Sequence, residues 1–135
     1  MLKRIDNQGM DHLSFPLQES FARRFAEEWV EAWNSHDLLR ILAHYDDRVV
    51  LVSPVALNLL KNHSGVVEGK AALREYFFLG VKAYPDLHFE LIDVFWGVET
   101  IVVHYANNVR DGRSAEAMQL NSDGKICRVW AHYDK

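Results

Sequence analysis

The sequence predicts one domain of the α+β class, with helices in the first half of the chain and an antiparallel sheet in the second half. Three observations support this class. The chain has 135 residues, which suits a single hydrophobic core. Apolar residues recur at helical spacing from Leu17 to Asn34. After Pro85 the pattern changes to the alternation typical of strands and continues to Tyr133, so the helices precede the sheet.

The first residues of the chain follow neither pattern. Charged residues, Asn, Gln and Gly are mixed there without a period. We expect residues 1–16 to form a flexible N-terminal arm and residues 17–135 to form the folded domain. Since no apolar run is long enough to cross a bilayer and no signal-peptide core is present, a cytoplasmic location is the default expectation.

Three helices are predicted in the first half. The first runs from Leu17 to Asn34, where an apolar stripe lies opposite a charged face. The second is short, from Leu38 to Tyr45, and the third begins near Lys70 and ends before Pro85. The aromatic residues of the first stripe are Phe21, Phe25, Trp29 and Trp33.

The strands are predicted from β-branched runs and turn signals. The strand from Val49 to Val52 is expected to end at Ser53-Pro54 or to lie at a sheet edge, because proline cannot donate to a strand ladder. Residues 55–68 are expected to form a long loop, of the kind that often lines a site. Asp111-Gly112 is a hairpin signal. The remaining predicted strands are Leu87–Trp96, Thr100–Val109, Arg113–Leu120 and Lys125–Tyr133.

Composition argues against several classes of function. The formal net charge is −4 and no block of Lys or Arg occurs, so we expect no nucleic-acid partner. Cys127 is the only cysteine, which excludes an intrachain disulfide and a cysteine-based metal site. The histidines lack the spacings of metal ligands, and nucleotide-binding motifs do not occur. We therefore expect no metal, no cofactor and no membrane partner.

Five segments carry short motifs whose order and spacing match one known family. The segment Trp29–Leu38 holds an aromatic residue, an alanine and asparagine, and a small-polar-Asp-Leu turn. The others are Tyr45–Val50, Gly65–Leu73, Tyr84–Phe89 and Asp123–Ile126. Together they resemble SnoaL-like proteins, which share the nuclear transport factor 2-like class with ketosteroid isomerases. The resemblance implies a cone-shaped α+β barrel, in which three N-terminal helices pack on a curved antiparallel sheet and enclose a pocket.

The resemblance also places the roles of ketosteroid isomerases on this sequence. Those enzymes need a carboxylate base, and an oxyanion hole made by a tyrosine and a protonated aspartate. The position of the base, before the proline that ends the first strand, holds Ser53. The position of the tyrosine holds Trp29, and that of the protonated acid holds Glu116. Because a serine cannot deprotonate an α-carbon unaided, we do not expect steroid isomerase chemistry.

The resemblance to SnoaL-type cyclases implies a different pair of catalytic residues. Those enzymes use an acidic residue on a late strand with a histidine on the preceding strand, and Glu116 and His104 have comparable places. If Glu116 points inward, desolvation would raise its pKa toward the range useful for acid/base work. Alternatively, Glu116 faces solvent or pairs with Arg113 or Arg128. If His104 and Glu116 point to opposite sides of the sheet, the acid/base proposal fails.

Other side chains are expected to line the pocket and orient a ligand. Trp29 and Trp33 lie on the first helix, which contributes to the pocket wall in this fold. His63 could reach over the pocket mouth from the long loop, although a solvated histidine is the alternative. The full set of expected ligand-binding residues is Trp29, Trp33, Tyr45, Ser53, His63, Tyr76 and Met118.

Three hypotheses about function follow. The chain is an enzyme with cofactor-free cyclase, isomerase or dehydratase chemistry on a small apolar carbonyl compound, a non-catalytic ligand-binding module, or a dimerisation module. A pocket lined only by apolar groups would favour the second hypothesis. A cavity filled by Trp29, Trp33 and Trp130 would favour the third. We expect a homodimer through the sheet in all three cases, since both faces of the predicted strands are largely apolar.

Overall fold

The computed structural model describes residues 3–5, 11–61 and 63–135. Its α+β architecture agrees with the class predicted from the sequence. The helices are α1 (Glu19–Ser35), α2 (Leu38–Leu42), α3 (Pro54–Leu59) and α4 (Lys70–Ala83). The strands are β1 (Lys3–Ile5), β2 (Asp11–Leu13), β3 (Tyr45–Val52), β4 (Val66–Glu68), β5 (Phe89–Trp96), β6 (Thr100–Asn107), β7 (Gly112–Leu120) and β8 (Ile126–Tyr133).

The α1 helix begins and ends close to its predicted limits. Its apolar stripe is buried against the sheet, where the rings of Trp29 and Phe89 stack with centroids 5.8 Å apart. The helix stops at His36, whose backbone adopts the left-handed conformation with φ 59°. Asp37 then caps α2, because its side chain accepts hydrogen bonds from the backbone N–H groups of Leu39 and Arg40.

The long loop predicted over residues 55–68 is wrong in part. Its first residues form the short helix α3, and its end forms the strand β4. Pro54 starts α3 at a position where a missing N–H costs nothing, and the Ser53 side chain accepts from the backbone N–H of Val55 at 3.2 Å. Ser53 and Pro54 therefore follow the end of β3, as expected, and also start a helix.

A six-stranded curved sheet forms the other layer, in the order β4-β3-β8-β7-β6-β5. All neighbouring strands are antiparallel except β3 and β8, which are parallel. This pair corrects the expectation of a wholly antiparallel sheet. Because β4 and β5 stay at the edges, the sheet is not a closed barrel. The register shifts between Leu91 and Asp93 of β5, and again between Ile126 and Arg128 of β8, where one strand has an extra residue. Such irregularities bend strands.

The N-terminal strands β1 and β2 pair with each other in a separate two-stranded sheet. Leu13, at the end of β2, is buried, and its backbone N–H donates to the carbonyl of Ser122. The predicted arm includes residues 1–2 and 6–10, which lie outside the described residues, and its flexibility stays a prediction. Within the described part of the chain, no helix is long and apolar enough to cross a membrane.

Candidate functional site

A cavity of about 120 Å³ lies between the inner face of the sheet and the helices α1, α3 and α4. Aromatic rings form much of its wall: Phe77 stands edge-on to Trp33 with centroids 4.6 Å apart, and Phe89 lies 5.6 Å from Trp33. Cavities of this order can accept a benzene-sized molecule. The polar side chains on the wall are Ser53, Tyr76, Tyr84, Tyr105, Asn107, Arg110, Glu116 and Tyr133.

Glu116 is the acidic residue on this wall. It lies on β7, where the register pairs it with Val103 of β6 and Ala131 of β8. Paired residues in an antiparallel sheet share a face, and both neighbours are buried, so Glu116 points inward. Its side chain is only 7% exposed. The Tyr105 hydroxyl donates to Glu116 Oε2 at 2.5 Å.

Burial changes the ionisation of this pair. It raises the pKa of Glu116 to about 7, although the hydrogen bond from Tyr105 lowers that pKa and offsets part of the effect. Burial, together with the negative charge of Glu116, raises the pKa of Tyr105 well above its usual value. Tyr105 therefore stays protonated as a donor, while Glu116 can hold or release a proton near neutral pH. A carboxyl group with these properties can act as a general acid or base.

A group of three hydroxyls lies elsewhere on the wall. Ser53 Oγ lies 3.4 Å from the hydroxyl oxygen of Tyr76 and 3.4 Å from that of Tyr133. Burial raises the pKa of Tyr76 to about 12 and raises that of Tyr133 as well. Both tyrosines therefore remain neutral hydrogen-bond donors and acceptors throughout the physiological pH range.

The turn after β6 brings a cation to the cavity. The Asn107 side chain accepts from the backbone N–H groups of Val109 and Arg110, both at 3.2 Å, and donates to Ser114 Oγ at 2.9 Å. These bonds fix the path of the turn. The Arg110 guanidinium stacks over the Tyr133 ring, 5.3 Å from its centroid, and remains exposed to solvent.

Four of the residues expected at the site lie on the cavity wall, namely Trp33, Ser53, Tyr76 and Glu116. Their functional roles stay predictions. Glu116 makes neither of the pairings that were considered with Arg113 and Arg128, because it faces the interior. Arg113 instead donates to Asp134 at 3.0 Å.

The expected assistance from His104 is not possible in this fold. The register pairs His104 with Ala115, while Val103 pairs with Glu116, so the histidine and the glutamate lie on opposite faces of the sheet. His104 Nδ1 lies 3.5 Å from Asp93 Oδ2 on the outer face. The acid/base proposal from the sequence, in which His104 assists Glu116, is therefore wrong, and any role for Glu116 has to be argued without the histidine.

Four expected ligand-binding residues do not reach the cavity. Trp29 donates from Nε1 to the Tyr45 hydroxyl at 3.0 Å, and neither side chain is more than 1% exposed. Met118 is fully buried in the core, and His63 is exposed on the surface. The expectation failed for Trp29, Tyr45 and Met118 because inward-facing residues can fill the core without bordering a cavity.

Sequence reasoning missed five polar residues of the wall: Tyr84, Tyr105, Asn107, Arg110 and Tyr133. Strand parity places Tyr105 and Asn107 on one face of β6, but the sequence gives no indication that this face is the inner one. The position of Tyr133 depends on the location of β8 between β3 and β7. Arg110 lies in a turn, where no periodic pattern identifies it.

The fold and the site together define a class. Helices packed on a curved, unclosed sheet around a cavity are the architecture of the cystatin-like, nuclear transport factor 2-like proteins. A model of the SnoaL-like domain family matches residues 26–132, which is most of the chain. This chain therefore belongs to the SnoaL-like family. No curated protein matches the sequence.

Solved structures agree with this assignment. A SnoaL-like protein of unknown function from Burkholderia thailandensis is 33% identical, with a TM-score of 0.85 over 89% of this chain and 99% of that one. A proposed isomerase of the SnoaL-like family from Agrobacterium tumefaciens is 16% identical, with a TM-score of 0.70 over 87% and 100%. The epoxide hydrolase/cyclase-like enzyme SalBIII, which acts in pyran ring formation in salinomycin, is 20% identical, with a TM-score of 0.66 over 86% and 92%. The last two show similarity of fold alone.

Proposed function

We propose that this chain is an enzyme that carries out cyclase-, isomerase- or dehydratase-type acid/base chemistry on a small, largely apolar carbonyl compound. Glu116 is the group that moves the proton. The observation that carries the proposal is a buried carboxyl group on the wall of a cavity, with its pKa raised to about 7. The proposed isomerase and the cyclase-like enzyme of the same fold are consistent with such chemistry.

The reaction moves a proton between the substrate and Glu116 and needs no second substrate. In its ionised form Glu116 takes a proton from the carbon next to the carbonyl group, and the electrons of that C–H bond form an enolate. The resulting carboxylic acid then returns the proton to another atom of the same molecule. The Tyr105 hydroxyl stabilises the ionised form of Glu116 through its hydrogen bond, whereas burial favours the protonated form. Glu116 can therefore both accept and release a proton.

Two alternative functions have less support. A purely apolar cavity would favour a binding module, yet Glu116 and several hydroxyl groups lie on this wall. A cavity filled by tryptophans would favour a dimerisation module. Trp29 lies outside the cavity, Trp33 forms one wall, and Trp130 is 37% exposed on the outer face of the sheet.

Proton exchange on a neutral ketone tests the proposal. Cyclohexanone suits the cavity in size, and exchange of its α-protons in D₂O can be followed by NMR. The intact protein is expected to accelerate exchange with a rise centred near pH 7, as the carboxylate of Glu116 forms. Glu116→Gln is expected to lower the rate by at least about 100-fold, the usual contribution of a general base. Glu68→Gln, at an exposed glutamate on β4, should leave the rate unchanged.

A second variant examines the pKa rather than the rate alone. Tyr105→Phe removes the hydrogen bond that lowers the pKa of Glu116, so the rise in rate is expected to move to higher pH. Tyr84→Phe removes another hydroxyl of the cavity wall, one that is not among the causes of the pKa shift at Glu116, and is the matched control. Equal exchange rates for the wild type and Glu116→Gln would refute the proposed function.

We also propose that a second copy of the chain covers the outer face of the sheet. Small apolar side chains occupy its centre, and Trp130 and Phe95 are 37% and 58% exposed there. Asp93 and Arg128 bring charges of both signs to this face, so an identical partner would not meet a surface of one charge. Location in the cytoplasm stays a prediction from the sequence.

A further inference from the structure

We infer that the substrate carries a carboxylate group, held at the cavity mouth by the Arg110 guanidinium and the Tyr133 hydroxyl. Its apolar body extends from there along the aromatic wall toward Glu116. This inference rests on the proposed function for the reacting end of the substrate, and it adds the chemistry of the other end.

The charges on the wall lie apart. Glu116 is buried, while Arg110 is exposed and therefore lies at the mouth. Among the described residues that line the cavity, Arg110 is the only cation. Burial raises the pKa of Tyr76 and of Tyr133, the negative charge of Glu116 adds to this, and the positive charge of Arg110 opposes it. Arg110 is not among the causes of the pKa shift at Glu116, which burial raises and Tyr105 lowers. The cavity therefore has a cationic mouth and a separate acidic group in its interior.

The guanidinium has capacity for a ligand. Its Nη1 donates to the main-chain oxygen of Lys135 at 3.1 Å, and no aspartate or glutamate side chain in the described ranges pairs with it. A guanidinium offers five N–H donors, whose planar arrangement suits a carboxylate. The remaining donors of Arg110 are thus available at the mouth.

The position of this arginine is set by its surroundings. Asn107 is 9% exposed and holds the backbone N–H of Arg110 through its side-chain oxygen. At the far end of the side chain, stacking over the Tyr133 ring restrains the guanidinium. An arginine held in this way loses less side-chain freedom on binding than a free surface arginine does.

The neighbouring hydroxyls can complete the recognition of an anion. Tyr133 and Tyr76 each lie 3.4 Å from Ser53 Oγ, which is longer than the usual distance between hydrogen-bonded hydroxyls. Their protons are only loosely held by Ser53. A carboxylate oxygen is a stronger acceptor than a serine hydroxyl, so the Tyr133 proton is expected to turn toward the ligand.

The apolar wall determines the rest of the ligand. Trp33, Phe77 and Phe89 surround a space of about 120 Å³, which takes one ring-sized group. The inferred substrate class is therefore a small monocarboxylate whose single aromatic or alicyclic body carries the reacting carbonyl group.

A pair of matched probes tests this inference on the intact protein. Phenylacetate and phenylacetamide have almost the same shape, and only phenylacetate is charged. Titration followed by NMR is expected to show roughly tenfold tighter binding of phenylacetate, as a charge-assisted hydrogen bond would provide. Arg110→Gln should abolish this preference, and Arg110→Lys should restore part of it. Arg74→Gln removes an equal charge from an exposed site on α4 and should preserve the preference.

Several outcomes would overturn the inference. These are equal affinities for the two probes, a preference that persists in Arg110→Gln, and failure of both probes to bind. In the wild type, the preference for phenylacetate should weaken as the salt concentration rises. The thermal midpoint of Arg110→Gln should match that of the wild type, so that loss of folding does not explain its lost preference.

The inference and the proposed function can fail separately. Glu116→Gln is expected to keep the preference for phenylacetate while it loses exchange of the cyclohexanone protons. Exchange that survives in Glu116→Gln would refute the proposed function and leave the carboxylate site intact. Loss of exchange in Glu116→Gln with equal binding of the two probes would refute the carboxylate site alone.

Discussion

The ionisation of Glu116 couples the stability of the fold to pH. In the folded state its pKa is raised from 4.5 to about 7. The protonated form is therefore favoured by folding. Its contribution to stability is complete below the unfolded pKa and is lost as the pH rises through the folded pKa. Since the side chain is buried, solvent screens this effect only weakly.

This coupling gives a quantitative expectation. Between about pH 4 and pH 8, the free energy of unfolding of the wild type should fall by about 3 kcal/mol relative to that of Glu116→Gln. Urea denaturation at both pH values measures the difference. Glu68→Gln, with an exposed side chain, should follow the wild type. Parallel pH profiles for the wild type and Glu116→Gln would show that folding does not raise the pKa of Glu116.

At the residue scale, the alternation of side chains between the two faces of a strand explains which residues could be placed on the cavity wall from the sequence. Met118 and Leu120 share a face of β7 with Glu116, and their apolar character favours the inward orientation that the structure has. The same argument could not place His104, because both faces of β6 are largely apolar. Its orientation depends on the pairing of β6 with β7, and that register is a property of the whole sheet.

At the scale of elements, Ser53 joins the start of α3 to the polar wall of the cavity. Its hydroxyl accepts from the Val55 N–H and lies beside the hydroxyls of Tyr76 and Tyr133. Ser53→Ala is expected to lower the free energy of unfolding by about 1 kcal/mol, as loss of an N-cap usually does. Chemical denaturation measures the change, and Ser122→Ala, at an exposed turn, is the control. A loss of stability equal to that of Ser122→Ala would argue against the capping role.

The helices and strands differ in how far the sequence predicts them. The stripe of α1 repeats over several turns, and its limits were predicted closely. The six residues of α3 are too few for a period, and Pro54 is equally compatible with the end of a strand and the start of a helix. The strands of the hairpins were predicted near their observed limits because turn residues separate them. The neighbours of β3 and β8 could not be predicted, since contacts distant in sequence decide them.

At the scale of the whole molecule, the proposed dimer has a direct test. Trp130→Glu places a charge in the outer face of the sheet and is expected to shift the protein to a monomer in sedimentation velocity. Leu39→Glu is the control, because Leu39 is 76% exposed on α2 and lies away from the sheet. A wild-type monomer at micromolar concentration, or a dimer that withstands Trp130→Glu, would contradict the proposal.

The parallel pairing of β3 with β8 has a consequence for the order of events during synthesis. The strand β8 is translated after every other strand of the six-stranded sheet, yet it lies between β3 and β7. Until the ribosome has made β8, the sheet consists of two separate parts with unpaired inner edges. The nascent chain cannot complete its core before then, and its exposed strands are open to wrong partners. A chaperone that shields these edges would therefore have to act until β8 has been made and has paired with both of them.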